Sequence, residues 1–173
     1  MEKVLSKKQC ESLLEKVSNQ EWERVDLHSH YHQTFVEDKE LEETFENYFG
    51  KKFLSKPIMK VLKLGEGDYL PNYTSDYDSI TLDEYKKYHG TNFTIECYLN
   101  DNFVGGSLNN CVPRKGYGIV HNKTNICKVS KVTKGICYLI FCYIKDLKES
   151  KSLLWFTQQC VSVKNGLKNI KRP

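Results

Sequence analysis

The sequence predicts an α+β fold in which two N-terminal helices pack against a jelly-roll-like core of short strands. Before residue 50, apolar residues recur at helical spacing in two segments. From Pro57 onward, about eight short β-prone segments are separated by turns rich in Gly, Asn and Asp. Helices followed by a run of strands are typical of the α+β class, and many short strands are typical of a sandwich or barrel.

The length of 173 residues favours a single domain that covers the whole chain, 1–173. We divide it into N-terminal helices with a short strand (1–56), a β core (57–145) and a C-terminal extension (146–173). No apolar run approaches the roughly 20 residues that a membrane span requires, and the first residues lack the apolar core of a signal peptide. We therefore expect a cytoplasmic protein without a membrane partner.

Charge and cysteine content narrow the possible partners and sites. The formal net charge is +4, from 26 basic and 22 acidic residues that are interspersed. A basic cluster near the C-terminus is more typical of a solvated tail than of a nucleic-acid contact, so nucleic acid is not an expected partner. That cluster consists of Lys164, Lys168, Lys171 and Arg172. The seven cysteines include no Cys-x-x-Cys pair, which predicts reduced thiols rather than disulfides or a zinc site.

Two N-terminal segments have the spacing of amphipathic helices. The first is predicted over Lys7 to Val17, with Ser6 as its N-cap. The second is predicted over Glu37 to Phe49, with acidic residues in its early turns and Gly50 as its C-cap. Both helices are expected to pack on the core.

Three histidines alternate between these helices. In an extended segment, His28, His30 and His32 would lie on one face, where three imidazoles can chelate a transition metal. The favoured interpretation is an exposed polar strand or loop, so we predict no metal at this segment.

The stretch from Asn92 to Asn110 is the centre of the predicted β core. Its first part alternates apolar and polar residues and predicts a half-buried strand. The apolar face carries Phe93, Ile95, Cys97 and Leu99. After an Asn-Asp-Asn break, the pair Gly105-Gly106 indicates positive φ angles or a very close backbone neighbour.

Other strand-like segments flank this stretch on both sides. They are Ile58 to Leu64, Tyr69 to Tyr73, the turn and strand from Pro113 to His121, Asn125 to Val129, and Gly135 to Ile144. A polar, tyrosine-rich region between Asp76 and His89 is predicted to be a long loop, and such loops often cover a site. Cysteines within the strands are expected to be small buried residues.

These segments, in this order, resemble the prolyl-4-hydroxylase branch of the 2-oxoglutarate- and iron(II)-dependent dioxygenases. The resemblance covers residues 60–145, about half of the chain. Its most specific parts are Tyr98-Leu-Asn-Asp101 followed by Gly105-Gly106, then Pro113 and Gly116 before a strand, then Val132-Thr-Lys-Gly135 leading into Tyr138. The resemblance implies a double-stranded β-helix, and with it a site for iron(II) and 2-oxoglutarate.

The family holds iron(II) with two histidines and one carboxylate, of which the first two ligands form a His-x-Asp motif. Counting from Gly67 places Tyr73 at the histidine position and Ser75 at the carboxylate position. Shifting the register by one residue places Thr74 and Asp76 there instead, which recovers only the carboxylate.

The remaining positions of the family site also carry different residues. The distal histidine lies five residues before the Val of Val-x-x-Gly in the family, and Cys127 occupies that position. The basic residue that pairs with 2-oxoglutarate lies two residues after the Gly, and Cys137 occupies that position. A thiol cannot replace a bidentate, charge-assisted contact with a carboxylate.

The resemblance therefore implies a catalytically inactive relative that binds no iron(II) or 2-oxoglutarate and acts by protein–protein contact. The chain is also similar to the degenerate prolyl-hydroxylase-like domain of a poxviral virulence protein. That similarity implies a viral modulator of a host protein in the host cytoplasm, such as an oxygen-sensing prolyl hydroxylase. The alternative is an active dioxygenase that uses iron(II), 2-oxoglutarate and noncanonical ligands such as His121 with Asp76.

Overall fold

The computed structural model describes residues 1–25, 31–73, 91–122, 125–145 and 147, with only the backbone described at residues 72 and 73. Within this part, the chain has two helices, α1 (Lys7–Ser18) and α2 (Lys39–Phe49). The strands are β1 (Glu2–Lys3), β2 (Glu23–Val25), β3 (Tyr31–Val36), β4 (Ile58–Leu64), β5 (Leu70–Tyr73), β6 (Phe93–Tyr98), β7 (Val104–Gly105), β8 (Tyr117–Asn122), β9 (Cys127–Val129), β10 (Val132–Lys134) and β11 (Cys137–Ile144).

The strands form one large antiparallel sheet and two small ribbons. The large sheet has seven strands in the order β1-β8-β6-β11-β4-β3-β2, and β5 pairs with β9 while β7 pairs with β10. Residues of the ribbons share a buried cluster with one face of the large sheet. The α+β prediction with a jelly-roll, double-stranded β-helix core is confirmed. The helix lengths are those of packing helices, and none in the described ranges is long and apolar enough to cross a membrane.

Both helices begin directly after a residue whose side chain caps the first turn. Ser6 caps α1 through a capping box, in which the Gln9 N–H donates to Ser6 Oγ at 3.2 Å and the Ser6 N–H donates to Gln9 Oε1 at 2.9 Å. Helix α2 begins at Lys39 rather than at Glu37, because Asp38 caps it by accepting from the Leu41 N–H at 3.0 Å.

Two apolar clusters lie on opposite faces of the large sheet. The outer cluster joins the sheet to both helices, and it includes Cys10, Leu13, Leu41, Phe45, Val61, Ile95 and Ile140. The inner cluster lies between the sheet and the two ribbons, and it includes Leu62, Leu70, Leu108, Val129, Val132 and Leu139. Because side chains alternate along a strand, the central strands β4, β6 and β11 contribute to both clusters.

The prediction that β6 is half-buried is wrong. Its apolar face packs on the helices, but its other face, with Thr94, Glu96 and Tyr98, is also buried. The physical reason is that the ribbons cover that second face, so polar residues on β6 lie in the interior of the fold. The predicted burial of the strand cysteines is confirmed, since Cys97, Cys127, Cys137 and Cys142 are buried.

Strand β3 contains His32, the last of the three histidines, and continues to Val36, beyond the segment for which the sequence predicted an exposed polar strand or loop. Strand β3 pairs with β4 along its length, and His32 lies opposite Lys63 in that pairing. His28 and His30 lie outside the described residues, so the three-imidazole arrangement is not tested. The region from Asp76 to His89, the basic C-terminal cluster and the rest of the 146–173 extension except residue 147 also lie outside the described part.

The Gly105-Gly106 pair meets both predicted requirements. The φ angles are 82° and 60°, in the left-handed region that favours glycine. A Cβ atom at Gly105 would lie 2.2 Å from the carbonyl oxygen of Lys131, the residue that precedes β10. The pair therefore allows the β7–β10 ribbon to close over the inner cluster.

Candidate functional site

The register of the β5–β9 ribbon brings two of the predicted site positions together. Tyr73, at the end of β5, is the backbone partner of Cys127, at the start of β9. These are the positions that the resemblance assigns to the first and the distal histidine ligands. The Tyr73 side chain, Ser75 and Asp76 lie outside the described residues. The ribbon thus places the backbones of these two positions next to each other, and the position of the distal histidine carries the thiol of Cys127.

Cys137 begins β11 and lies in the inner cluster, opposite Leu64 of β4. It is fully buried, and this burial raises the pKa of its thiol well above the usual value. The side chain at the position of the family's 2-oxoglutarate base is therefore neutral. It cannot pair with the distal carboxylate of that substrate.

Glu96, His121 and Cys127 form a buried cluster of three metal-ligating side chains next to these positions. They come from β6, β8 and β9, and their exposed fractions are 0%, 6% and 1%. One ligand atom from each lies within 4.8 Å of the other two. We refer to these three residues as the inner polar cluster.

The His121 imidazole is oriented by contacts at both ring nitrogens. Nε2 lies 2.6 Å from Glu96 Oε1, and Nδ1 lies 3.2 Å from the carbonyl oxygen of Asn122. Because a carbonyl oxygen can only accept, Nδ1 carries a proton and donates it there. Burial lowers the pKa of His121, but hydrogen bonding and charge from Cys127 and Glu96 outweigh it and raise the pKa overall.

Asn109 anchors the thiol of Cys127. Its Nδ2 donates to Cys127 Sγ at 3.4 Å, while its Oδ1 accepts from the Lys128 N–H at 2.9 Å. The Asn109 backbone has a positive φ of 49°, a conformation that asparagine tolerates better than most residues. The loop after β7 is thereby fastened to β9 beside the inner polar cluster.

Tyr98 belongs to the same face of β6 as Glu96. Its hydroxyl donates to the Gly106 carbonyl at 2.8 Å and accepts from the Leu108 N–H at 2.5 Å. These bonds hold the segment between Gly106 and Leu108 over the inner cluster. The hydrogen bonds of Asn109 and Tyr98 thus hold the loop after β7 next to the inner polar cluster.

Sequence reasoning missed several members of the site. Alternation places Glu96 on the polar face of the predicted half-buried strand, and the sequence analysis gives Asn109 no role. The available signal was a single carboxylate among apolar residues on a strand, which matches many exposed strands equally well. Lys60 was also missed: it is buried on β4, with its Nζ 5.5–5.9 Å from the ring centroids of Tyr31, Phe141 and Tyr143.

Comparison with known proteins supports the fold by structure alone. No protein family model matches the sequence, and no curated protein matches it. A viral collagen prolyl hydroxylase from Paramecium bursaria Chlorella virus-1, solved in complex with 2-oxoglutarate, is 16% identical with a TM-score of 0.59. The similarity covers 86% of this chain and 94% of that protein. The fold is that of a prolyl-4-hydroxylase-like oxygenase.

Two bacterial structures agree with this assignment of the fold. A prolyl-4-hydroxylase from Pseudomonas putida is 8% identical with a TM-score of 0.61, over 84% of this chain and 90% of the other. A 2-oxoglutarate- and iron(II)-dependent oxygenase from Burkholderia pseudomallei is 10% identical with a TM-score of 0.54, over 78% and 77% of the two chains. At these identities, the likeness concerns the fold and not the activity.

The described residues do not fit the iron(II) and 2-oxoglutarate that the fold family uses. Cys127 supplies a thiol where the resemblance requires an imidazole, and the buried Cys137 supplies no charge for the substrate carboxylate.

Proposed function

We propose that this chain is an inactive member of the oxygenase fold that acts by binding another protein. The observation that carries the proposal is the neutral, fully buried thiol of Cys137 at the position of the 2-oxoglutarate base. Without that charge, 2-oxoglutarate loses its principal anchor. The thiol at Cys127 weakens an oxygen-activating iron(II) site in addition.

Exposed apolar side chains near the ribbons support a role in protein contact. Val104, Val112, Ile126 and Ile136 are exposed by 56%, 80%, 65% and 40%. Each lies in a ribbon strand or in a segment that adjoins the ribbons. Contiguous exposed apolar patches mark protein-binding surfaces, and we propose that these four side chains belong to one. The similarity to a poxviral domain makes a host oxygen-sensing prolyl hydroxylase, met in the host cytoplasm, the partner to test first.

Turnover is the first test. Purified chain is incubated with iron(II), 2-oxoglutarate, ascorbate and oxygen, and succinate is measured beside an active prolyl-4-hydroxylase. We expect no succinate above the protein-free background. Iron-dependent succinate formation would overturn the inactive assignment and favour the alternative of an active enzyme with noncanonical ligands. In that alternative, Asp76→Ala would abolish metal binding.

Binding is the second test. The purified chain is titrated with a purified oxygen-sensing prolyl hydroxylase by calorimetry. We expect a saturable complex that Val112→Asp and Ile126→Asp weaken at least tenfold. Leu54→Asp is the matched control, because Leu54 is also exposed, by 58%, but follows α2 rather than a ribbon strand. Absence of binding, or equal loss in all three variants, would contradict the proposed partner or surface.

A further inference from the structure

We propose that Glu96, His121 and Cys127 form a binding site for one divalent ion of the zinc class. The inference is independent of the proposed protein-binding function. It concerns residues that the resemblance does not assign to iron, apart from Cys127. The three donors are a carboxylate oxygen, an imidazole nitrogen and a thiol sulfur, each of which is a known zinc ligand.

The spacing of the donors suits an ion of this size. Around a tetrahedral zinc ion with bond lengths of about 2.0–2.3 Å, neighbouring ligand atoms are separated by about 3.3–3.8 Å. In the inner polar cluster, one atom from each residue lies within 4.8 Å of the others, and the His121–Glu96 pair is closer, at 2.6 Å. An ion bound by all three would increase the separation of His121 Nε2 and Glu96 Oε1 from 2.6 Å to about 3.3 Å, and a tetrahedral ion would take a fourth ligand in addition.

Neighbouring groups orient two of the ligands as in established metal sites. The bond from His121 Nδ1 to the Asn122 carbonyl directs Nε2 toward Glu96. Zinc-bound histidines characteristically donate their other ring N–H in this manner. The Asn109 amide donates to Cys127 Sγ and so fixes the position of that sulfur.

The charge and chemistry of the donors select the class of ion. A thiolate and an imidazole favour zinc and similar borderline-soft ions over magnesium and calcium, which prefer oxygen ligands. One carboxylate and one thiolate balance the two positive charges of the ion. This balance matters because all three residues are buried, and an uncompensated charge there is costly. The sequence pattern did not show the site, because its ligands come from three separate strands.

Cobalt(II) titration of the metal-stripped, full-length chain tests the site, since cobalt(II) substitutes for zinc and reports on its ligands. We expect one equivalent to bind with a thiolate-to-cobalt charge-transfer band, and one equivalent of zinc(II) to remove that band. Cys127→Ser should abolish the band, and the conservative Glu96→Gln should weaken cobalt binding at least tenfold. Cooperative thermal unfolding of each variant confirms that it is folded.

Two control variants separate this site from other candidate ligands. Cys111→Ser removes a half-exposed free thiol and should bind cobalt(II) like the original chain. A variant with His28, His30 and His32 all changed to alanine should also retain the band. The proposal is overturned if the folded original chain takes up no cobalt(II) or zinc(II), or if the band persists in Cys127→Ser.

Discussion

His121 Nε2 lies 2.6 Å from Glu96 Oε1, in a buried pair between two neighbouring strands. In the β6–β8 register, Glu96 is opposite Ile119 and His121 is opposite Thr94, so the pair bridges the strands diagonally. A buried pair of this kind is costly to break, because removal of one partner leaves the other without compensation.

Removing only Glu96 should therefore destabilise the fold more than removing both partners. We expect Glu96→Leu to lower the free energy of unfolding by about 3–5 kcal/mol. The double variant Glu96→Leu/His121→Phe should recover more than half of that loss, because apolar replacements leave no buried charge. Urea denaturation measures both. As a control, His32→Ala, at a half-buried position on β3, should cost less than about 1 kcal/mol. A double variant less stable than Glu96→Leu would contradict the expectation.

The Tyr98 hydroxyl satisfies a donor and an acceptor of the backbone in the interior. Tyr98→Phe should cost about 1–3 kcal/mol, because the Leu108 N–H and the Gly106 carbonyl then lose their partner. Tyr117→Phe is the matched control: among the described residues, Tyr117 contacts Arg114 through its ring and its hydroxyl makes no hydrogen bond. In urea denaturation, the free energy of unfolding of Tyr98→Phe should be lower than that of Tyr117→Phe by about 1–3 kcal/mol. Equal stabilities of the two variants would refute the role of the Tyr98 hydroxyl.

Alanine substitutions at Gly105 and Gly50 distinguish the cost of backbone strain from the cost of a steric clash. Both have positive φ angles, 82° and 63°, but a Cβ atom would meet the Lys131 carbonyl at Gly105 and nothing within 4 Å at Gly50. Gly50→Ala should cost about 1 kcal/mol, as expected for a left-handed residue with a side chain. Gly105→Ala should cost at least twice as much, because β7 must move away from β10. Similar losses in the two variants would show that the ribbon adjusts freely.

Asp38 should make stability depend on pH. Burial raises its pKa, but hydrogen bonds from the Leu41 N–H and Lys16, together with the Lys16 charge, outweigh this and lower the pKa below its usual value. A depressed carboxyl pKa contributes stability that is complete above the unfolded pKa of about 3.9 and is lost as the pH falls through the folded value.

Two variants of Asp38 distinguish the contribution of its negative charge to stability from that of its helix-capping hydrogen bond. At pH 7, Asp38→Ala should cost about 1 kcal/mol through loss of the N-cap. Asp38→Asn retains a capping side chain, so the original chain should exceed it in stability at pH 7 by less than about 1 kcal/mol. That difference should shrink toward zero as the pH is lowered below about 3.9. Urea denaturation across this range provides the measurement, and a difference that does not change with pH would exclude the charge contribution.

The sequence by itself determined the elements that depend on neighbouring residues. The capping signals at Ser6 and Gly50, the period of the two helices and the positive φ angles at Gly105-Gly106 all act within a few residues. The order of strands after Pro57 was sufficient to indicate the jelly-roll class. Helix α2 shows the limit of this local accuracy, since its start differs by two residues from the predicted position.

Only the tertiary structure decided which polar residues are buried and which of them meet. Alternation along β6 places Glu96 on the face opposite the apolar residues, and in an open sheet that face is solvated. Here the ribbons cover it, so Glu96 meets His121 from β8 and Cys127 from β9 in the interior. The alternation of apolar and polar residues predicts on which face of a strand each side chain lies. What packs against that side depends on long-range pairing between strands, which no local pattern contains.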